Sequence, residues 1–277
     1  MLESPVEQNL VIRRRPALAL PTPARLAAFA WRLAVPLGLL ALWQAVTLLG
    51  LFERSQLPAP LDVVAAAAEL AGRGELPEHV GISLWRVLLG FAAGGALATL
   101  LGGAVGFSRR VEELLAPTLQ AVRAIPSLAW VPLLVLWMGV DEGPKVTLVA
   151  IGAFFPVYTT FVAGIRQIDR KLVEVGYAYG LQGFALARQV LLPAALPALL
   201  TGLRIGLAQG WLFLVAAELI AASRGLGFLL VDGQNTGRAD IIVLSIVLLA
   251  LIGKGTDALL QRLERRLLHW SDSYTGR

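Results

Sequence analysis

The chain has no cysteine among its 277 residues, and only two histidines. The first absence excludes disulfides, thiolate-ligated zinc, iron–sulfur clusters and a thiol nucleophile. The second leaves His79 and His269 too far apart in sequence to suggest a metal site. Charge is scarce as well, at 16% of residues, where ordinary globular chains carry about a quarter. Catalytic patterns are missing: there is no G-x-S-x-G and no H-E-x-x-H. Gly253-Lys254-Gly255-Thr256 has a Gly-Lys pair but lacks the earlier glycine and the preceding buried strand of a phosphate-binding loop. What the chain does have is apolar surface. Its 57% hydrophobic residues and mean hydropathy of +0.70 exceed what one water-soluble core can hide, and they exclude disorder. A bilayer is part of its solvent.

A spanning helix needs about 20 apolar residues, because each adds about 1.5 Å across a hydrocarbon layer of roughly 30 Å. Leu33–Leu51, Val87–Phe107, Ala124–Val140 and Val146–Ile165 carry no charge and read as spans. Two more are shorter and reach spanning length only as Ala195–Ala222 and Ile241–Leu260, the latter if Lys254 snorkels to the interface. The pattern therefore predicts an all-α integral membrane protein of about six transmembrane helices. With both termini assigned to the cytoplasm, 18 of the 24 basic residues fall on the inner side, as the positive-inside rule asks. That topology explains the net charge of +5 and the pI near 10.1 without a nucleic-acid partner. The basic residues form no single stripe with interleaved aromatics.

Residues 1–30 read as a cytoplasmic tail, residues 31–270 as the membrane domain and residues 271–277 as a second tail. Arg13–Arg15 are followed by a Pro-broken, weakly apolar stretch, so the N-terminus does not read as a signal peptide. Glu53–Ser83 is expected outside, with a short helix from Asp62 to Ala71. Gly94, Gly95, Gly102, Gly103 and Gly106 suit a close-packing helix face at a dimer seam.

The stretch between the fourth and fifth spans, about 169–193, is long and patterned for a loop. Asp169 can cap a short helix, and Gly180 can end it in the left-handed conformation that glycine adopts cheaply. A second short helix then runs towards Leu191-Leu192-Pro193. The expected form is a helix–Gly–helix elbow whose small residues Gly176, Ala178 and Gly180 allow another backbone to approach. An ordinary interhelical loop is the alternative, although such loops are usually short.

Glu174, Gly180 six residues on, and the ending Val190-Leu191-Leu192-Pro193 resemble the "EAA" loop of membrane subunits of binding-protein-dependent ABC importers. Val175-Gly176 stand where that motif has two alanines, and Gly176 weakens the helix by roughly 0.5–1 kcal/mol relative to alanine. Further stretches, among them Leu57-Pro58-Ala59-Pro60, Arg123-Ala124-Ile125-Pro126, Gly202-Leu203-Arg204 and Ala216-Ala217-Glu218, resemble the branch handling aliphatic sulfonates, taurine and nitrate. Gly253-Lys254-x-x-Asp257 and Tyr179-Gly180-Leu181 are most similar to its aliphatic-sulfonate permeases.

The resemblance implies a type I importer permease fold in a bacterial cytoplasmic (inner) membrane, crossing it several times. It implies two ATP-binding cassette ATPase subunits, an extracytoplasmic solute-binding protein and a second copy of this chain. The chain itself would hold no cofactor or metal and would be no enzyme; ATP and Mg would sit on the ATPase subunits. Lys171, Glu174, Gly176, Tyr179, Gly180, Leu181 and Pro193 become the expected ATPase-coupling residues. Taurine, nitrate, bicarbonate or a thiamine-precursor pyrimidine are alternative cargoes, and a gradient-driven secondary transporter is the alternative class.

Pore or gate candidates follow from charge and backbone. Glu218 inside an apolar run has the wrong sign for an anion, and a structural or gating partner, backbone N–H or arginine, is favoured. Arg123 and Arg204 have the right sign, with interfacial snorkelling or pairing with the ATPase as the alternative. Pro126 breaks a span, and Gly225 and Gly227 suit a re-entrant turn at the pore mouth or an ordinary exterior loop.

Overall fold

The computed structural model describes residues 23–270, with side chains described for 33–270 except Ala221. The Arg13–Arg15 cluster and the tail 271–277 lie outside the described residues. Among the described residues the chain is helical, with no strand. It divides into two units, residues 1–52 and 53–277. The first holds α1 (Pro23–Leu48), which begins within the segment read as a tail and carries Pro36 inside it.

The second unit opens with α2 (Pro60–Gly72). Pro60 suits the first turn, where its missing N–H costs nothing. Asp62 lies inside that turn rather than at its cap, its carboxylate accepting from the Ala59 N–H at 3.0 Å. Then come α3 (Glu75–Phe107), α4 (Arg109–Ala124), a 3-10 turn at Ser127–Trp130 and α5 (Val131–Met138). After α6 (Glu142–Arg166) follow α7 (Arg170–Ala178), α8 (Gly183–Leu186) and α9 (Leu192–Ala221). The chain ends in α10 (Leu226–Asn235) and α11 (Ala239–Leu267).

Among the described residues, four helical stretches are long and apolar enough to span: Glu75–Phe107, Glu142–Arg166, Gly183–Ile220 and Ala239–Leu267. Leu33–Leu48 is a shorter apolar helix. The expected span Ala124–Val140 is corrected to part of a bent pair. Arg109–Ala124 and Ser127–Met138 are bent by 86° at a break, and the pair makes at most one broken span. The cause is local: Ile125 takes an extended conformation (ψ 124°) ahead of Pro126, as proline imposes on the residue before it. The eight residues of α5 reach only about 12 Å.

α6 lies at the centre, packed along both α3 and α9. Phe154, Val157, Phe161 and Ile165 of α6 form one core with Ala98 and Val105 of α3 and Ala195 and Leu199 of α9. The glycine face of α3 makes this approach possible: a Cβ on Gly94 would sit 2.2 Å from the Ala150 carbonyl oxygen of α6. Gly102 and Gly106 face Phe161 and Ile165 of the same helix, and Gly95 faces Leu203 of α9. The glycine stripe is thus an internal seam, a correction to the expected dimer seam. Leu100, Leu136, Leu212, Ile220, Leu251 and Leu259 point outward, which suits a lipid surround rather than water.

Candidate functional site

The elbow follows from two local caps. Asp169 Oδ1 accepts from the Lys171 N–H at 2.9 Å and starts α7. At the other end Gly180 sits at φ +77°, with Leu181 N–H bonded to the Gly176 carbonyl at 3.0 Å and Gly180 N–H to that of Tyr177 at 2.9 Å. These are the two bonds of a Schellman motif, which satisfies carbonyls that the helix end would leave orphaned. The next helix does not stop at Pro193. It runs from Gly183 through a π-helical turn at Ala187–Leu191 straight into α9, correcting the separate second helix expected there. A helical proline crowds the carbonyl four residues back, and for Pro193 that is Gln189, inside the widened turn.

Gly176 is buried, and a Cβ there would meet Leu186 Cδ1 at 2.5 Å and Val190 Cγ2 at 3.3 Å. Its small size lets the elbow close on itself, so the expected opening at Gly176 for another chain's backbone is corrected. Leu172 and Val175 of α7, Tyr179 just past its end and Phe184 at the start of α8 are all exposed. Tyr179 and Phe184 are 83% and 80% exposed, an apolar patch of the kind that marks an interaction surface. Lys171 and Glu174 of α7 are both exposed. Glu174 pairs with Arg170 at 3.0 Å, a surface contact worth at most about 1 kcal/mol.

At the far end of α6, about 37 Å from Arg166 by helical rise, lies a buried ionic cluster. His79, Ser83 and Arg86 are on one face of α3, all buried. Arg86 donates from Nε and Nη2 to the two oxygens of Glu142, each at 2.6 Å. From Nη1 it donates to Glu218 Oε1 and to the Arg224 carbonyl, both at 2.7 Å. Glu218, 1% exposed, also accepts from Ser83 Oγ at 2.8 Å and from Gly227 N–H at 2.7 Å. Leu226 N–H donates to Ser83 Oγ at 2.8 Å and Gly225 N–H to His79 Nδ1 at 2.9 Å. Three N–H groups at the start of α10 therefore find side-chain acceptors on α3 and α9, in place of the local cap its sequence lacks. The structure brings Glu218, Gly225 and Gly227 together as one internal tie. Arg86 and Glu142 are the partners that sequence reasoning missed; the signal was the polar spacing His79, Ser83, Arg86 along one helix face.

Gly225 has φ +120°, and a Cβ would lie 2.3 Å from Glu218 Oε1. Gly225→Ala is expected to lose roughly 1–3 kcal/mol through the backbone alone, and more through displacing the carboxylate. Gly237, at φ +67° with open space around it, is the control. Thermal unfolding in detergent should fall much further for Gly225→Ala than for Gly237→Ala.

The two arginine candidates part company. Arg204 is committed within the chain: Nε reaches Asp257 Oδ1 at 3.0 Å and Nη1 reaches Glu264 Oε2 at 3.1 Å, tying α9 to α11. Two carboxylates answer its charge, which corrects the expectation of an anion ligand or an ATPase contact. Arg123 is exposed at the end of α4, three residues before Pro126, and lines a cleft of about 350 Å³ between α4 and α6. A second tie lies beyond the spans. Arg238 bonds both oxygens of Glu69, at 3.1 and 2.9 Å, and Asp240 at 2.7 Å, clamping α2 to the start of α11. The guanidinium's hydrogen bonds hold Glu69 below the usual carboxylate range.

Residues 90–269 match the family described as binding-protein-dependent transport system inner membrane component. The chain is 43% identical over 240 residues, 87% of its length and 91% of the other, to a protein of Escherichia coli strain K12 named as the aliphatic sulfonates transport permease SsuC. It is 41% identical over 244 residues, 88% of both chains, to the protein of that name from Bacillus subtilis strain 168. A taurine transport system permease, TauC, of the same Escherichia coli strain is 35% identical over 84% of this chain and 86% of its own. Among solved structures, the inward-facing methionine ABC transporter MetNI shares the fold. The TM-score is 0.61 at 20% identity, covering 68% of this chain and 94% of that one.

Proposed function

The chain belongs to the binding-protein-dependent transport system inner membrane component family, and on that premise we propose that it is the permease subunit of an ATP-driven importer of aliphatic sulfonates. The observation that carries the cargo is the 41–43% identity to SsuC proteins over nearly nine-tenths of the chain. The TauC relative points to the same chemistry, since taurine is itself a sulfonate.

Two copies of the chain enclose one path, and each presents its elbow to an ATPase subunit on the cytoplasmic side, where both termini also lie. The membrane is the bacterial inner membrane. Leu172, Val175, Tyr179 and Phe184 supply the apolar contact, Lys171 and Glu174 its rim, and Gly180 with Leu181 the bend that aims it. Magnesium and ATP act on the ATPase subunits, whose closure draws the elbows together. Each elbow runs through the π-turn and Pro193 directly into α9, so a push there moves a spanning helix without an intervening hinge loop. α9 in turn carries Glu218 to the outer end, where the buried cluster holds α3, α6 and α10 to it. A binding protein delivers the sulfonate on that side.

Reconstitution tests this. Proteoliposomes holding the permease with its ATPase, supplied with the binding protein, are expected to accumulate labelled ethanesulfonate with ATP and not with a non-hydrolysable analogue. Uptake that ignores ATP and follows an imposed ion gradient would overturn the reading.

A further inference from the structure

The cleft at Arg123 has a chemistry that the elbow and the buried cluster leave unused. Arg123 and Arg166 both line it, and no carboxylate does. Arg166 donates to Glu112 of α4, whereas Arg123 has no ion-pair partner among the described residues. Gln120 supplies a further amide donor beside them. The apolar part of the wall includes Phe155 and Val162 of α6, while Tyr158, Thr159 and Gln167 add polar atoms. An arginine without an ion pair, beside apolar side chains in the same cleft, matches an amphiphilic anion with a charged head and a short hydrocarbon tail. A bare oxyanion would use only the arginine. The volume of about 350 Å³ falls at the small end of ligand sites, which run from roughly 300 to 1,000 Å³. Arginine suits the head, because its planar fork meets an oxyanion with two donors at once.

We infer that this cleft is a subsite for short-chain alkanesulfonates in the permease itself, with Arg123 holding the sulfonate and Phe155 and Val162 the tail. The inference rests on the sulfonate-importer reading and adds a contact that the binding protein does not supply. Its position follows from α6. Arg166 ends that helix three residues before the elbow's Asp169, so the subsite lies at the release end, far from the cluster at Glu142.

The test uses the full permease–ATPase complex in nanodiscs, without nucleotide or binding protein, with the ATPase alone as background. Equilibrium dialysis measures labelled methane-, ethane-, propane- and butanesulfonate, with inorganic sulfate as the tail-less probe. Affinity is expected to rise up to about fourfold for each methylene buried, with sulfate weakest. Arg123→Gln is expected to weaken butanesulfonate at least tenfold, while Arg123→Lys, which keeps the charge but loses the two-donor fork, recovers only part of it. Equal binding of sulfate and butanesulfonate by the native complex overturns the inference without any variant being made. So does unchanged binding by Arg123→Gln. Either failure alongside ATP-driven uptake by the native transporter leaves the function standing. Selective butanesulfonate binding by a transporter that moves no sulfonate would instead fault the function.

Discussion

Arg86→Ala is expected to be the most destabilising single substitution in the chain. It leaves Glu218 with no exposed side-chain surface and no cation, while Glu142, half exposed, keeps only its longer contact to Lys145 at 3.7 Å. Breaking a buried pair by removing one partner costs about 3–5 kcal/mol, because the remaining charge cannot reach water. Loss of the bond to the Arg224 carbonyl adds to this by freeing the turn into α10. In a chain of this size that corresponds to a fall of about 5–9 °C in unfolding temperature. Arg86→Met combined with Glu218→Gln is expected to recover part of the loss. The glutamine oxygen can still accept from Gly227 N–H and Ser83 Oγ, and one buried negative charge is gone. Thermal unfolding of the detergent-solubilised chain measures all three proteins. Equal losses for the single and double variants would show that geometry, and not charge balance, holds the cluster.

The second large effect concerns coupling. Tyr179→Asp changes a side chain that is mostly exposed and Leu172→Asp one that is half exposed, so folding should move by about 0.5 kcal/mol for the first and somewhat more for the second. On the proposed reading the same positions lie against an ATPase in the assembled transporter. Truncating one anchor of an interface commonly costs 2 kcal/mol or more, and placing a carboxylate in an apolar contact adds a desolvation penalty. ATP-driven uptake is expected to fall at least thirtyfold while the amount of folded permease stays constant. Gly180→Trp should also abolish uptake. It alters the bend as well as the surface, because φ +77° is strained for any side chain, so the two aspartate variants isolate the surface. Normal uptake by both would remove the elbow from the mechanism.

The elbow was legible because its determinants are local. Asp169 and Gly180 act on backbone groups within five residues of themselves, so the residue types alone predict start, stop and turn. The spans were legible in composition but not in direction. Ala124–Val140 is uncharged, yet Ile125-Pro126 turns the chain, and hydropathy carries no information about that angle. The α3 glycines were read correctly as a packing face and assigned to the wrong neighbour. A stripe of small residues tells how closely a backbone approaches, not whose backbone it is. Arg86 and Lys145 each precede an uncharged run, Val87–Phe107 and Val146–Ile165, so hydropathy alone leaves them outside the spans. α3 begins at Glu75 and α6 at Glu142, which draws both cations into buried positions. Arg204 illustrates the same limit. Its partners lie 53 and 60 residues away, and only folding shows that its charge is already answered. Glu218 was singled out by its cost in an apolar run; that cost is met by Ser83, Arg86 and the start of α10.

The central claim is that the elbow is gripped by a separate ATPase. The chain has no cysteine, so Tyr179→Cys provides its sole thiol for a short photo-activated crosslinker in the native, membrane-embedded transporter. The account predicts an adduct with the ATPase subunit that changes in yield when ATP binds, and none from Arg73→Cys on α2. An adduct from Tyr179→Cys with the binding protein, or labelling of that thiol only from the external side, would contradict it.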